Sequence, residues 1–290
     1  MKNYVIFTES TTDLPAYMVE ELGIEVIPMT FGFDNETYLN YSDHRELGIL
    51  EFYERIKNGE RSTTTLINSM TFIEYFEPIL KRGDDILYIG FSSGLSGTYE
   101  SSLLAAEQLM EKYKGSKILC VDTKAASMGE GLLVYSAVKK KEEGLDIEQL
   151  YQWVVDNRLK LCHWVTVDDL NHLKRGGRIS AVTATLGSAL NVKPIIHVDD
   201  DGHLIPVANI RGRKKSIHEL LEHMVETCTN PEEQVIFISH ADCFDDVDYL
   251  ANIIKDKLHV KDVILNYMGP VIGSHTGQGA IALFFFGTHR

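Results

Sequence analysis

Short apolar runs alternate with longer segments of helical periodicity through the first half of the chain. Tyr4–Phe7, Ile24–Phe31, Ile86–Ile89 and Lys117–Val121 read as strands. Leu14-Pro15 opens a short helix ending near Gly23, with Asp13 as its expected N-cap. Glu46–Lys57 places Leu47, Leu50, Tyr53 and Ile56 at helical spacing and stops at Asn58-Gly59. Further helices are predicted over about Met70–Leu80, Tyr99–Lys114, Gly129–Lys141 and Asp146–Leu159. Strands separated by helices of this length predict a mainly parallel sheet covered on both faces.

A second region begins near Leu161. Cys162–Val167 reads as a strand, Val167–Lys174 as a short helix, Arg175–Arg178 as a turn and Ala181–Leu190 as an apolar, small-residue helix. Lys193–Val198 and His203–Ile210 flank Asp199-Asp200-Asp201-Gly202, a hairpin signal. Ser216–Thr227 and Asp245–Leu258 read as helices, and Val235–Ser239, Val263–Tyr267 and Ala280–Phe286 as strands. The expected architecture is two α/β domains, 1–160 and 161–290.

Hydroxyls and glycines concentrate between these elements. Thr8–Asp13, Phe91–Tyr99 and Asp122–Met128 each follow a strand of the first half, so they are expected on one rim, where open α/β sheets take ligands. Arg61–Thr65 reads as another hydroxyl-rich loop, and Gly269–Gly279 as a further one that carries His275. The Phe91–Tyr99 turn offers free N–H groups and a helix N-terminus, which suit an anionic oxygen. Its plainer reading makes Ser96 or Thr98 an N-cap.

Composition narrows the chemistry. A net charge of −14 over 290 residues disfavours nucleic acid or an anionic membrane as the main partner. No apolar run approaches the ~20 residues of a membrane span, and the N-terminus enters a strand at once, so a cytoplasmic protein is expected. Cys120, Cys162, Cys228 and Cys243 form no CxxC pair. His218 and His223 are five residues apart, the wrong spacing for a zinc helix. GxGxxG, GxxxxGK[ST] and GxSxG are all absent. Ser96 with His275 lacks an evident carboxylate to complete a triad. Arg211–Lys215 is the one basic cluster, read as an exposed helix start, a phosphate contact or a docking patch.

Long motifs, in order, resemble one family. They are Thr8–Pro15, Ser92–Tyr99, Val121–Lys124, Leu173–Ser180, Lys193-Pro194-Ile195 and Pro270–Gly279. Together they are similar to the DegV family of bacterial fatty-acid-binding proteins. The resemblance implies a two-domain DegV-like (EDD-type) α/β fold that holds one long-chain fatty acid between its domains, with no cofactor and no catalytic residue of its own. It places the carboxylate near hydroxyls that map to Ser62, Ser93 and Ser96, and near His275 and Thr276. Arg178 and Arg211 map to arginines of the head-group face or of partner docking. A separate ATP-dependent fatty acid kinase would phosphorylate the presented carboxylate, and transient membrane contact is compatible with such a carrier. Two departures stand out. Ser62-Thr63-Thr64-Thr65 replaces the family's usual Thr-Ser-Gln-Pro, which leaves Thr63 as an alternative donor, and Glu9 replaces the usual Asp, a change expected to matter little. Roughly fifteen methylenes at ~0.8 kcal/mol each give a gross ~12 kcal/mol for the tail, before ordering and association costs. The alternative is a small-molecule enzyme, either a serine-dependent hydrolase or a relative of dihydroxyacetone kinases.

Overall fold

The computed structural model describes residues 2–179 and 191–290. The helix expected over 181–190 lies outside them. In the first half, β1 (Tyr4–Glu9), β2 (Glu25–Ile27), β6 (Asp85–Gly90) and β7 (Ile118–Asp122) form a parallel sheet in the order β2-β1-β6-β7. The expected single strand over 24–31 is two. Pro28 lacks an N–H and breaks the ladder, so β2 joins the parallel sheet and β3 (Met29–Phe33) starts another. There β3 lies between β4 (Glu36–Asn40) and β5 (Ser62–Thr65), antiparallel to both. Ser62–Thr65 is therefore a strand and not the loop that its hydroxyl content suggested.

Six helices accompany these sheets among the described residues: α1 (Ala16–Leu22), α2 (Ile49–Lys57), α3 (Ser69–Lys81), α4 (Thr98–Lys112), α5 (Met128–Glu142) and α6 (Ile147–Asn157). Pro15, not Asp13, is the N-cap of α1. Asp13 stands in a left-handed turn at φ +50° and its side chain is buried elsewhere.

The second half builds one mixed six-stranded sheet, ordered β10-β9-β8-β13-β11-β12. Its strands are β8 (Leu161–Thr166), β9 (Val192–Val198), β10 (Leu204–Arg211), β11 (Val235–His240), β12 (Asp262–Tyr267) and β13 (Ile281–Phe286). The helices are α7 (Asn171–Arg175), α8 (Arg213–Thr227), α9 (Phe244–Leu258) and α10 (Pro270–Thr276). The unbroken apolar run of β13 has a direct cause: both its faces are buried. Ile281, Leu283 and Phe285 pack under α8 and α9, whereas Ala282 and Phe284 belong to the core shared with the first half. That shared core is where the cavity opens.

Candidate functional site

A cavity of about 210 Å³ lies between the parallel sheet's loops and the inner face of the six-stranded sheet. Its walls are apolar. Val165, Ile196 and Phe284 come from β8, β9 and β13, while Met29, Phe91 and Leu95 come from the first half. Thr64, Ser96, Arg178, His275 and Thr276 are polar members of the lining. Thr64, Arg178 and His275 also line an outer cleft of about 690 Å³ with Arg61, His172 and Arg175. Those three residues thus stand where the apolar cavity meets the polar surface.

His275 lies near the end of α10 and Thr64 on β5, and their Nε2 and Oγ1 atoms are 2.8 Å apart. Nδ1 of the ring is buried with no hydrogen-bond partner among the described residues. A Cβ on Gly176 would fall 2.2 Å from that nitrogen, so the ring rests directly on the α7 C-cap backbone. Burial, assisted by the positive charge of Arg178, lowers the His275 pKa to about 4. The ring is neutral near pH 7. Neutral imidazole and hydroxyl together carry two polar hydrogens. When the imidazole proton sits on Nε2 it closes the bond to Thr64 Oγ1, and the Thr64 hydroxyl hydrogen is free for a ligand oxygen; Nδ1 faces the Gly176 backbone and offers none. Arg178 is held in place by Nε donating to Leu95 O at 3.1 Å and Nη1 to Gly176 O at 2.5 Å.

Ser96 lines the cavity. Its Oγ lies 2.9 Å from Thr98 Oγ1 and accepts from Thr98 N–H at 3.3 Å. The plainer reading does not hold: neither Ser96 nor Thr98 is the N-cap, because Gly97 takes that place and Thr98 is the first residue of α4. Thr276 also lines the cavity, with its hydroxyl donating to Ile272 O at 3.2 Å.

Other expected residues stand elsewhere. Ser93 does not line the cavity: its Oγ donates to Asp122 Oδ2 at 2.5 Å and accepts from Lys124 Nζ at 2.8 Å, because the loop passes the end of β7. Ser62 lines only the outer cleft and is hydrogen bonded to Ser274 Oγ at 2.7 Å. Thr63 is exposed. Successive residues of β5 face opposite sides, so Ser62 and Thr64 point inward and Thr63 points out. Arg211 is exposed on the edge strand β10 and lines neither space.

Thr64 is the residue sequence reasoning missed. Strand parity would have found it, had Ser62–Thr65 been read as a strand. Gly94 makes a close approach, but to protein. A Cβ there would sit 2.8 Å from Gly202 O, because the β9–β10 turn docks on this loop, and Ser92 Oγ donates to the same oxygen at 2.9 Å. Glu9 also has a structural place near the site. It is fully buried, accepting from Tyr88 Oη at 2.7 Å and from Phe91 N–H at 2.6 Å, and it thereby props the loop that carries Ser96. Burial raises its pKa to about 7 against these bonds. No group of three or more metal-ligating side chains gathers among the described residues.

The site thus combines an apolar cavity with a neutral donor pair and an arginine at its mouth. The DegV family model matches residues 3–288, and the chain belongs to that family. It is 48% identical over 287 residues to the DegV domain-containing protein CPE0026 of Clostridium perfringens, covering 99% of this chain and 98% of that one. The fold matches a fatty-acid-binding DegV family protein from Thermus thermophilus at TM-score 0.88 and 29% identity, over 99% and 100% of the two chains. It also matches the fatty acid kinase B3 protein of Streptococcus pneumoniae, solved with linoleic acid, at TM-score 0.84 and 18% identity, over 98% and 99%.

Proposed function

We propose that this protein binds one long-chain fatty acid, tail in the cavity and carboxylate at Thr64, Ser96, His275 and Arg178, and presents it to a separate ATP-dependent fatty acid kinase. The observation that carries this reading is the place of Thr64, Arg178 and His275, on the boundary between apolar cavity and outer cleft. A carboxylate there gains hydroxyl and N–H donors and one guanidinium, and remains reachable from outside. The apolar lining supplies affinity and the donors supply orientation. In the outer cleft Arg61, Arg175 and Arg178 outnumber Glu60, and this local positive balance in an acidic chain suits a phosphoryl group or an acidic partner face. Arg211, on its exposed edge, is assigned to partner contact and not to the carboxylate. In this reading the units 1–160 and 161–290 meet at the cavity. The protein acts as a carrier in the cytoplasm, touching membranes only transiently, and contributes no catalytic group.

The test is reconstitution with purified kinase, ATP and fatty acid. Acyl phosphate should form only when carrier and kinase are both present. A protein that alone turns over ATP or hydrolyses an ester would instead be the small-molecule enzyme.

A further inference from the structure

Asp13 is a buried carboxylate that the head-group reading leaves without a task. It is 6% exposed, and no lysine, arginine or histidine forms an ion pair with it among the described residues. Its Oδ1 accepts from Gly269 N–H at 2.8 Å and its Oδ2 from Ser127 Oγ at 2.5 Å. Its main-chain oxygen accepts from Asn266 Nδ2 at 2.8 Å. Ser127 has one hydrogen, spent on Asp13, so Ser239 donates to Ser127 Oγ at 2.8 Å. The turn after β1, the start of α5 and the turn from β12 to α10 therefore meet on one carboxylate, and β11 joins them through Ser127.

Two local features show that this junction is tightly specified. Ser127 has φ +54° and ψ −148°, a conformation that a non-glycine residue keeps only when its surroundings over-determine it. A Cβ on Gly269 would lie 2.8 Å from Asp13 Oδ1. Burying a carboxylate without a countercharge is costly, so its acceptor geometry is the property retained. Gly269 is the N-cap of α10, and His275 lies six residues on, about 9 Å along a rigid helix. Tyr53 Oη braces the same turn by donating to Met268 O at 2.7 Å.

We propose that Asp13 is a positioning residue: by fastening Gly269 to Ser127 it sets where α10 places the His275 ring against Thr64. The consequence for ligand affinity rests on the carboxylate reading above; the ring position does not. An asparagine at 13 would keep an acceptor for Gly269 N–H and offer an amide donor to Ser127 Oγ, reversing that serine chain without moving α10.

The experiment uses the full chain with isotope-labelled histidine, ligand-free, with the His275 resonances identified by their loss in His275→Gln. Asp13→Ala should displace those resonances, let the ring titrate nearer the ordinary histidine range, and weaken binding of a fluorescent fatty acid about tenfold or more. Asp13→Asn should restore the resonances and bring affinity within about threefold of the parent. A folded Asp13→Ala protein with unmoved His275 resonances overturns the proposal, as does an Asn variant as perturbed as the Ala one. If Asp13→Ala does not fold, Gly269→Ala decides, because it drives a methyl at Oδ1 while leaving Asp13 in place. Displaced His275 resonances then support the proposal and unmoved ones overturn it. A parent protein that binds no fatty acid refutes the carboxylate reading, and the resonance arm still decides the role of Asp13.

Discussion

Replacing Thr64 by valine keeps the shape of β5 and removes one hydroxyl. In the parent, Thr64 and His275 carry two polar hydrogens, and with the imidazole proton on Nε2 closing their 2.8 Å bond the hydroxyl hydrogen of Thr64 is free for the ligand. Valine leaves only the imidazole hydrogen and nothing to fix its tautomer, and it orphans a nitrogen of a ring already missing one partner. A hydrogen bond to a charged group contributes about 1.5–3 kcal/mol, which corresponds to a roughly 10- to 150-fold weaker Kd. Displacement of a fluorescent fatty acid measures this directly. Thr64→Ser should recover most of the loss, and Thr63→Val, one residue away on the exposed face, should change Kd by less than about twofold. Equal losses from the 63 and 64 variants, or none from Thr64→Val, would refute the strand-parity argument.

Further expectations follow from the same geometry. The His275 ring should titrate near pH 4 by NMR. Its folded pKa lies below the ordinary 6.5, so the stability it contributes is present above about 6.5 and lost as pH falls towards 4; titration near 6.5 would contradict its burial. Glu9 has the opposite sign. Its folded pKa of about 7 lies above the ordinary 4.5, so its stabilising proton is lost as pH rises through that window, and Glu9→Gln should flatten the slope of stability against pH there. Gly94→Ala sets a methyl 2.8–2.9 Å from the Asp201 and Gly202 carbonyl oxygens and should cost about 1–3 kcal/mol in denaturant unfolding, whereas an unchanged midpoint would mean that the β9–β10 turn is not docked there. Ser93→Ala should leave fatty-acid affinity unchanged, because that hydroxyl serves Asp122 and Lys124.

The order of strands and helices is legible because periodicity is local, and the motif series by itself points to the DegV family. The cavity's walls were less legible. Phe284 and Phe285 are neighbours in one apolar run, yet only the pairing of β13 between β8 and β11 sends the first to the cavity and the second beneath the outer helices. Four consecutive hydroxyls at 62–65 hid a strand, since serine and threonine content signals turns more strongly than pairing, and so the inward donor was sought at Ser62 or Thr63 instead of Thr64. Ser93 and Ser96 look equivalent in a serine-rich turn. Only the approach of Asp122 from β7 separates a structural hydroxyl from one that faces the cavity. Asp13 looked like a helix cap because that is the commonest use of an aspartate before Leu-Pro, and its partners Ser127 and Gly269 lie far along the chain.

Native mass spectrometry of the purified protein tests the central claim most directly. The account predicts a bound species with the mass of one long-chain fatty acid, one per chain, lost on solvent extraction, regained on incubation with the free acid, and held less well by Thr64→Val. A protein that is empty as purified and takes up no fatty acid would contradict it.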